Sequence, residues 1–170
     1  MKHISGSVLS SLLIVSPAYA LEAVSEQRLD EVVQRGVQVM PFDLEQTLHV
    51  FSKSVTGGIQ QVIVKGLDGT EQIKLIREHL KQISLEFQQG NFTRPGEIHG
   101  DTMPGLNELR QAESSQINIM YKDLSNGAQI EYSTDSPVLV HAVHKWFDAQ
   151  LTDHARHAVS GHSMHYMHHK

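Results

Sequence analysis

The feature that most constrains the fold is a strand-turn-strand-helix pattern that occurs twice. In the first copy, residues 48–54 and 59–65 are runs rich in β-branched residues, and Val55-Thr56-Gly57-Gly58 separates them. Adjacent glycines can supply the positive φ angles of a tight hairpin. Apolar residues then recur at spacings of three and four across residues 70–89, with Gly90 just beyond them. This spacing predicts an amphipathic helix that ends at a glycine cap.

The second copy lies after a long connection, residues 91–115, in which Pro104 and the residues after it predict a brief helix. Residues 117–122 and 129–133 are strand-like and flank the hairpin signal Ser125-Asn126-Gly127. A helix with one apolar face follows at residues 136–151.

The two copies align as a pseudo-repeat of residues 47–89 and 116–151. Three matched pairs share an offset of 69 positions, Lys53 with Lys122, Gly58 with Gly127 and Gln60 with Gln129. Two β-β-α units predict an α+β fold, in which a four-stranded antiparallel sheet carries both long helices on one face. A short N-terminal helix at residues 25–35, capped by Ser25, is predicted to precede it.

The N-terminus resembles a secretory signal. Residues 1–20 combine Lys2, an apolar stretch and a small-residue ending, Ala18-Tyr19-Ala20. We therefore predict an exported protein, periplasmic if the source is Gram-negative, whose mature chain begins near Leu21. The domain organisation predicted is a signal peptide at residues 1–20, one α+β domain at residues 21–155 and a disordered tail at residues 156–170.

Composition excludes several classes of function. The chain has no cysteine, so a disulfide framework and thiolate metal sites are excluded. Its formal net charge is -5, without a run of basic residues, so no nucleic-acid partner is expected. After the signal, no apolar run approaches the roughly 20 residues that span a bilayer.

The C-terminal tract from Asp153 to Lys170 is dense in histidine and methionine. Imidazole and thioether side chains bind transition metals, which makes this tract a candidate metal-binding segment. The alternative is a solvated terminus whose histidines have no role. The candidate ligands in this tract are His154, His157, His162, Met164, His165, Met167, His168 and His169. Methionine beside histidine in an oxidising compartment favours a copper ion, with zinc or nickel as the alternatives.

Four further histidines are candidate ligands inside the predicted domain, namely His49, His79, His99 and His144. Taken singly, each is more simply explained as a partly buried, hydrogen-bonded residue. If the two long helices lie side by side on the sheet, however, several of these imidazoles could meet. Three imidazoles with an open coordination position would form a plausible zinc or copper site.

No sequence motif indicates a particular reaction. A nucleophile elbow, an H-E-x-x-H motif, a P-loop and a dinucleotide fingerprint are all missing from the sequence. The leading hypothesis is a periplasmic metal-binding protein that buffers, detoxifies or delivers copper. The second is an interaction or small-ligand module with pH-responsive histidines. The third is a metal-assisted hydrolase.

Several segments resemble a family of small uncharacterised exported bacterial proteins. They are His49-Val50-Phe51, Ile98-His99-Gly100, Met103-Pro104-Gly105-Leu106, Trp146-Phe147-Asp148-Ala149-Gln150 and Asp153-His154. The resemblance covers residues 37–158. Members often carry the label aspartate carbamoyltransferase, which does not fit this chain because the S-T-R-T carbamoyl-phosphate loop is missing. What the resemblance implies is an exported small domain with His49, His99, His144 and His154 as preferred inner ligands.

Overall fold

A computed structural model describes residues 25–66 and 69–161 as an α+β fold, with five helices and a mixed five-stranded sheet in these ranges. The helices are α1 (Glu26–Val39), α2 (Thr70–Gln88), α3 (Thr93–His99), α4 (Leu106–Gln111) and α5 (Pro137–Asp153). The strands are β1 (Thr47–Ser54), β2 (Gly57–Val64), β3 (Asn118–Leu124), β4 (Gly127–Ser133) and β5 (Ala158–Ser160). The predicted signal peptide and the ligand candidates from His162 to His169 lie outside the described residues.

The sheet has the strand order β3-β4-β2-β1-β5. Both predicted hairpins, β1-β2 and β3-β4, are present, and β2 pairs with β4 in antiparallel fashion. The fifth strand was not predicted. It pairs with β1 in parallel, with Val50 opposite Val159, so the domain extends beyond the predicted boundary at residue 155. The strand was missed because only three residues pair, too few for a pattern of alternation in the sequence.

The pseudo-repeat is offset by 70 positions in the structure, and not by the predicted 69. Ser54 pairs with Gly57 across the first turn, and Leu124 pairs with Gly127 across the second. Equivalent residues are therefore 70 apart (124 minus 54, and 127 minus 57). Gly57 takes the structural place of Gly127, and its φ of 144° is one that other residues rarely adopt.

Both long helices contribute to one hydrophobic core on the sheet. Phe87 of α2 and Trp146 of α5 both contact Tyr132 of β4, with ring centroids 6.4 and 5.5 Å away. Along β2 the residues that face this core are buried, whereas alternate residues are partly exposed, as expected for a sheet covered on one face.

The helix boundaries differ from the predicted ones mainly in the connection and at the ends. Ser25 caps α1 as predicted, since its Oγ accepts a hydrogen bond from the Arg28 N–H at 3.2 Å. The long connection contains α3 as well as the predicted brief helix α4.

In the ranges that the structure describes, no helix is long and apolar enough to cross a membrane.

Candidate functional site

Three buried imidazoles from separate parts of the chain meet at one end of the sheet. They belong to His49 on β1, His99 at the end of α3 and His154 at the C-cap of α5. The His49 and His154 rings are parallel with centroids 5.1 Å apart, and the His99 ring meets the His154 ring edge-on at 4.7 Å. Each residue is at most 5% exposed. We refer to these three residues as the histidine cluster.

Local backbone geometry places each of these side chains. His49 is opposite Val62 in the β1-β2 pairing, so its side chain lies on the core face of the sheet. Gly100 follows His99 with a φ of 90°, which ends α3 at that point, and its N–H donates to the carbonyl of Gly96. His154 ends α5 with its N–H donating to the carbonyl of Gln150.

A carboxylate and an arginine fix the orientation of His99. Its Nδ1 lies 2.8 Å from Asp153 Oδ2, and Arg28 Nη2 donates to the same oxygen and to the His99 carbonyl, both at 2.7 Å. Burial by itself raises the pKa of Asp153, but hydrogen bonds from His99 and Arg28 outweigh burial and hold that pKa below its usual value. An ionised carboxylate only accepts hydrogen bonds, so His99 Nδ1 is the donor. When the ring is neutral, Nε2 keeps its lone pair.

Burial keeps the other imidazoles neutral at pH 7. Burial, and then the proximity of His79, lowers the pKa of His49 to about 3. Burial, and then the proximity of His49 and His99, lowers the pKa of His154 well below its usual value. Neutral imidazole is the form that binds a metal ion.

A cavity of about 40 Å³ adjoins the cluster. It is lined by the three cluster histidines together with His79, Trp146 and Gln150, among others. Such a volume holds a few water molecules or one ligand of similar size. His79 does not stack on the cluster histidines. The Phe42 ring contacts both His79 and His49, with centroids 5.6 and 5.9 Å away. Burial lowers the pKa of His79 to about 4.

Four polar atoms on residues that line this cavity have no hydrogen-bond partner within the described part of the chain. They are His49 Nδ1, His154 Nδ1, Trp146 Nε1 and Gln150 Oε1. Buried polar atoms in folded proteins are normally paired, and leaving one unpaired costs about 1–3 kcal/mol. Because the four residues line one cavity, this cavity is the candidate functional site of the described chain.

His157 lies next to the cluster, and its contacts with Glu45 and His49 hold the start of β5 in place. Its Nε2 lies 2.8 Å from Glu45 Oε1, and its carbonyl accepts the His49 N–H at 2.8 Å. Its Nδ1 has no partner within the described residues. The segment predicted to be the start of a disordered tail is thus held against β1.

His144, predicted to be an inner ligand, lies far from the cluster. Its Nε2 is 2.9 Å from the carbonyl oxygens of Ser54 and Gly57, at the β1-β2 turn. Ser54 is five residues beyond His49, or about 17 Å along a strand. Ten residues separate His144 from His154 along α5, or about 15 Å. Because α5 runs the length of the sheet, its two histidines reach opposite ends.

The histidine cluster is not a formed metal site. Within residues 25–66 and 69–161, no group of three or more histidine or acidic side chains has the arrangement that holds an ion. The parallel rings of His49 and His154 are one reason, because bonds of about 2 Å require ring nitrogens to converge on one point. At least one ring has to turn before this cluster can bind metal.

Several residues around the cavity were missed as site residues by sequence reasoning. Trp146 and Gln150 both line the cavity. A usable signal existed, since Trp146, Gln150 and His154 are four residues apart and so share one face of a helix. Arg28 gave no signal, because its role depends on α1 packing beside α3.

Comparisons of this chain with protein-family models, with curated proteins and with solved structures find no match. The resemblance described from the sequence therefore stays a prediction.

Proposed function

We propose that this is an exported metal-binding protein that takes up copper and buffers, detoxifies or delivers it. The ligands proposed for the ion are the imidazoles of His49, His99 and His154. One observation carries the proposal, which is the meeting of three buried imidazoles from three separate elements. Burying three such groups together is unfavourable for folding alone unless their nitrogens are paired.

Two features of the cluster support a metal ion in particular. The first is the pair of Nδ1 atoms, on His49 and His154, that lack partners in the described residues. The second is the hydrogen bond from His99 Nδ1 to Asp153, because histidines that bind metals usually donate their other N–H to a carboxylate or carbonyl. Turning the rings of His49 and His154 would complete the site.

The preference for copper rests on the donor types. Imidazole suits Cu(II) and thioether suits Cu(I), whereas zinc or nickel would bind to the histidines alone. Met103 lies with His99 in the wall of a surface cleft beside the cluster. The histidines and methionines of residues 162–170 would act as additional, less selective donors that follow β5.

The test uses the protein's one tryptophan, Trp146, which is 1% exposed and lines the cavity. Cu(II) bound at the cluster should quench Trp146 emission in the full chain and in a chain that ends at Gly161, which keeps β5. In His154→Ala, at least about ten times more copper should be needed to reach the same degree of quenching. The matched control is His141→Gln, which removes an exposed histidine and should change nothing.

Two results would contradict the proposal. One is unquenched Trp146 emission at saturating copper in a folded chain, and the other is an unchanged copper affinity in His154→Ala.

Export is a separate question. N-terminal sequencing of the protein recovered from its native compartment should find a chain that begins near Leu21.

The alternative hypothesis, a metal-independent module with pH-responsive histidines, predicts a binding change between about pH 5 and 7. Burial moves the pKa of His49 and His79 to about 3 and 4, below that range. A response in that range would therefore have to come from groups other than these two. The buried histidines favour the metal hypothesis over this one.

A further inference from the structure

The cavity beside the histidine cluster has walls from both long helices. Helix α5 contributes three side chains that are spaced four residues apart and so share one face, namely Trp146, Gln150 and His154. Helix α2 contributes three buried apolar side chains, namely Leu80, Ile83 and Phe87. A molecule in this cavity therefore meets polar atoms of α5 and an apolar surface of α2.

Two polar atoms of α5 in this wall are left without a hydrogen bond. They are Trp146 Nε1 and Gln150 Oε1, which have no partner in the described ranges, and the two residues are 1% and 5% exposed. The indole N–H can only donate a hydrogen bond, and the amide oxygen can only accept one. A ligand that pairs both atoms must therefore carry an acceptor and a donor.

The other polar groups of the wall select against an ionic ligand. Among the described residues, Arg94 is the one permanently charged side chain that lines the cavity, and Glu86 already accepts two hydrogen bonds from it, at 2.9 and 3.1 Å. Burial lowers the pKa of His49, His79 and His154, so these imidazoles are uncharged at pH 7. A charged ligand would be buried without a counter-charge, which is strongly unfavourable.

The size and the apolar wall of the cavity narrow the ligand further. A volume of about 40 Å³ has room for roughly three or four heavy atoms. Water could pair with the two polar atoms, but it gains nothing from contact with Leu80, Ile83 and Phe87. A small molecule with an alkyl part gains free energy by burying that part against them.

We infer that the cavity binds a small uncharged molecule with a primary amide group, whose carbonyl oxygen accepts from the Trp146 N–H and whose N–H donates to Gln150 Oε1. An amide carries its acceptor and its donor on separate atoms, so one group can serve two side chains that are about one helical turn apart. The alkyl part of the ligand packs on the apolar side chains of α2. This inference goes beyond the proposed function and requires no metal ion.

Acetamide, acetone and acetate are the probes, because the three have equal numbers of heavy atoms and nearly the same shape. Acetamide both accepts and donates hydrogen bonds, acetone only accepts them, and acetate only accepts them and is charged. Each is titrated at pH 7 into the full chain, with a chelator present to remove metal. Trp146 is the only tryptophan of the chain, so its indole N–H gives a single NMR signal that reports on the cavity.

Acetamide should shift the Trp146 indole N–H signal and saturate it at roughly millimolar concentration, which is within the affinity limit for so small a ligand. Acetone and acetate should each bind at least about tenfold more weakly, because both leave Gln150 Oε1 unpaired. Gln150→Leu, which keeps a similar side-chain volume, should weaken acetamide binding about 3- to 10-fold and remove the preference for acetamide over acetone. His141→Gln, at an exposed position of α5, is the control and should change neither.

Equal affinities of the unmodified chain for acetamide and acetone would overturn the inference, and so would acetate binding as tight as that of acetamide. An indole signal that none of the probes shifts would mean that the cavity holds water alone, which also overturns it. These titrations of the unmodified chain decide the question even if Gln150→Leu does not fold. Because all of them are done without metal, their outcome is separate from that of the copper titration.

Discussion

The two ends of helix α5 hold histidines in opposite states of hydrogen bonding. At one end, His144 Nε2 contacts two backbone carbonyl oxygens of the β1-β2 turn. At the other end, His154 stacks on His49, and the Nδ1 atoms of both rings lack a partner in the described structure. A histidine whose ring nitrogen is paired with backbone carbonyls, as His144 Nε2 is, is explained by the fold. One that has a buried, unpaired nitrogen requires a further explanation, which under the proposed function is a bound metal ion.

The largest expected effect is a loss of stability in mild acid that originates at the cluster end. His49, His79 and His154 have lowered pKa values in the folded protein, whereas an unfolded histidine titrates near 6.5. Above pH 6.5 the three are neutral in both states and add no pH dependence. Below pH 6.5 the unfolded state binds more protons, so each histidine lowers the free energy of unfolding by about 1.4 kcal/mol per pH unit.

This loss should continue down to about pH 4 for His79 and about pH 3 for His49, where the folded state also takes up protons. Urea unfolding of the metal-free protein at pH 7, 6 and 5 measures it. His141→Gln, which changes an exposed histidine, should keep the same slope. Equal stability at pH 7 and pH 5 would show that the cluster histidines are solvated and not buried.

The next effect concerns the group that orients His99. Asp153→Asn keeps the shape of the side chain but removes the charge that accepts from His99 Nδ1 and pairs with Arg28. Loss of such an outer partner typically weakens metal binding 10- to 100-fold. Copper titration followed by Trp146 emission tests this. Asp148→Asn, at an exposed carboxylate on the same helix, is the matched control. Equal affinities in the two variants would remove Asp153 from the proposed site.

A smaller effect is expected at the satisfied end. His144→Leu removes the group that contacts the carbonyls of Ser54 and Gly57. We expect the free energy of unfolding to fall by about 1–2 kcal/mol, the cost of losing a partly buried hydrogen bond, with copper affinity unchanged. Chemical denaturation and copper titration of the same sample separate the two outcomes. Weaker copper binding in this variant would mean that the two ends of α5 are not independent.

The smallest expected effect is an increase, and not a decrease, in the stability of the metal-free protein. His154→Leu replaces an imidazole that has an unpaired nitrogen with an apolar side chain of similar size. We expect the metal-free protein at pH 7 to gain about 1 kcal/mol of stability while copper quenching of Trp146 emission is lost. Thermal unfolding without metal measures the gain. A destabilised variant would indicate that His154 is a structural residue like His144.

Much of the fold followed from the sequence because its elements are local. The hairpins and α2 have strong periodicity and turn residues, and they appear within two residues of their predicted bounds. The exact register did not follow, since an offset of 69 or of 70 matches similar residues. Strand β5 was missed because three residues carry no period, and its pairing partner β1 lies more than 100 positions earlier in the chain.

By itself, the sequence determined the class of fold and the side-chain donors on which the proposed metal site depends. Periodicity specifies which elements form, and the abundance of histidine without cysteine limits the donors to imidazole, thioether and carboxylate. Only the tertiary structure decided which histidines meet. His49, His99 and His154 converge because the end of α5, the end of α3 and the start of β1 lie at the same end of the sheet. His144 is on the same helix as His154 but is not part of the histidine cluster. A helix advances about 1.5 Å per residue, which places His144 at the opposite end of the sheet.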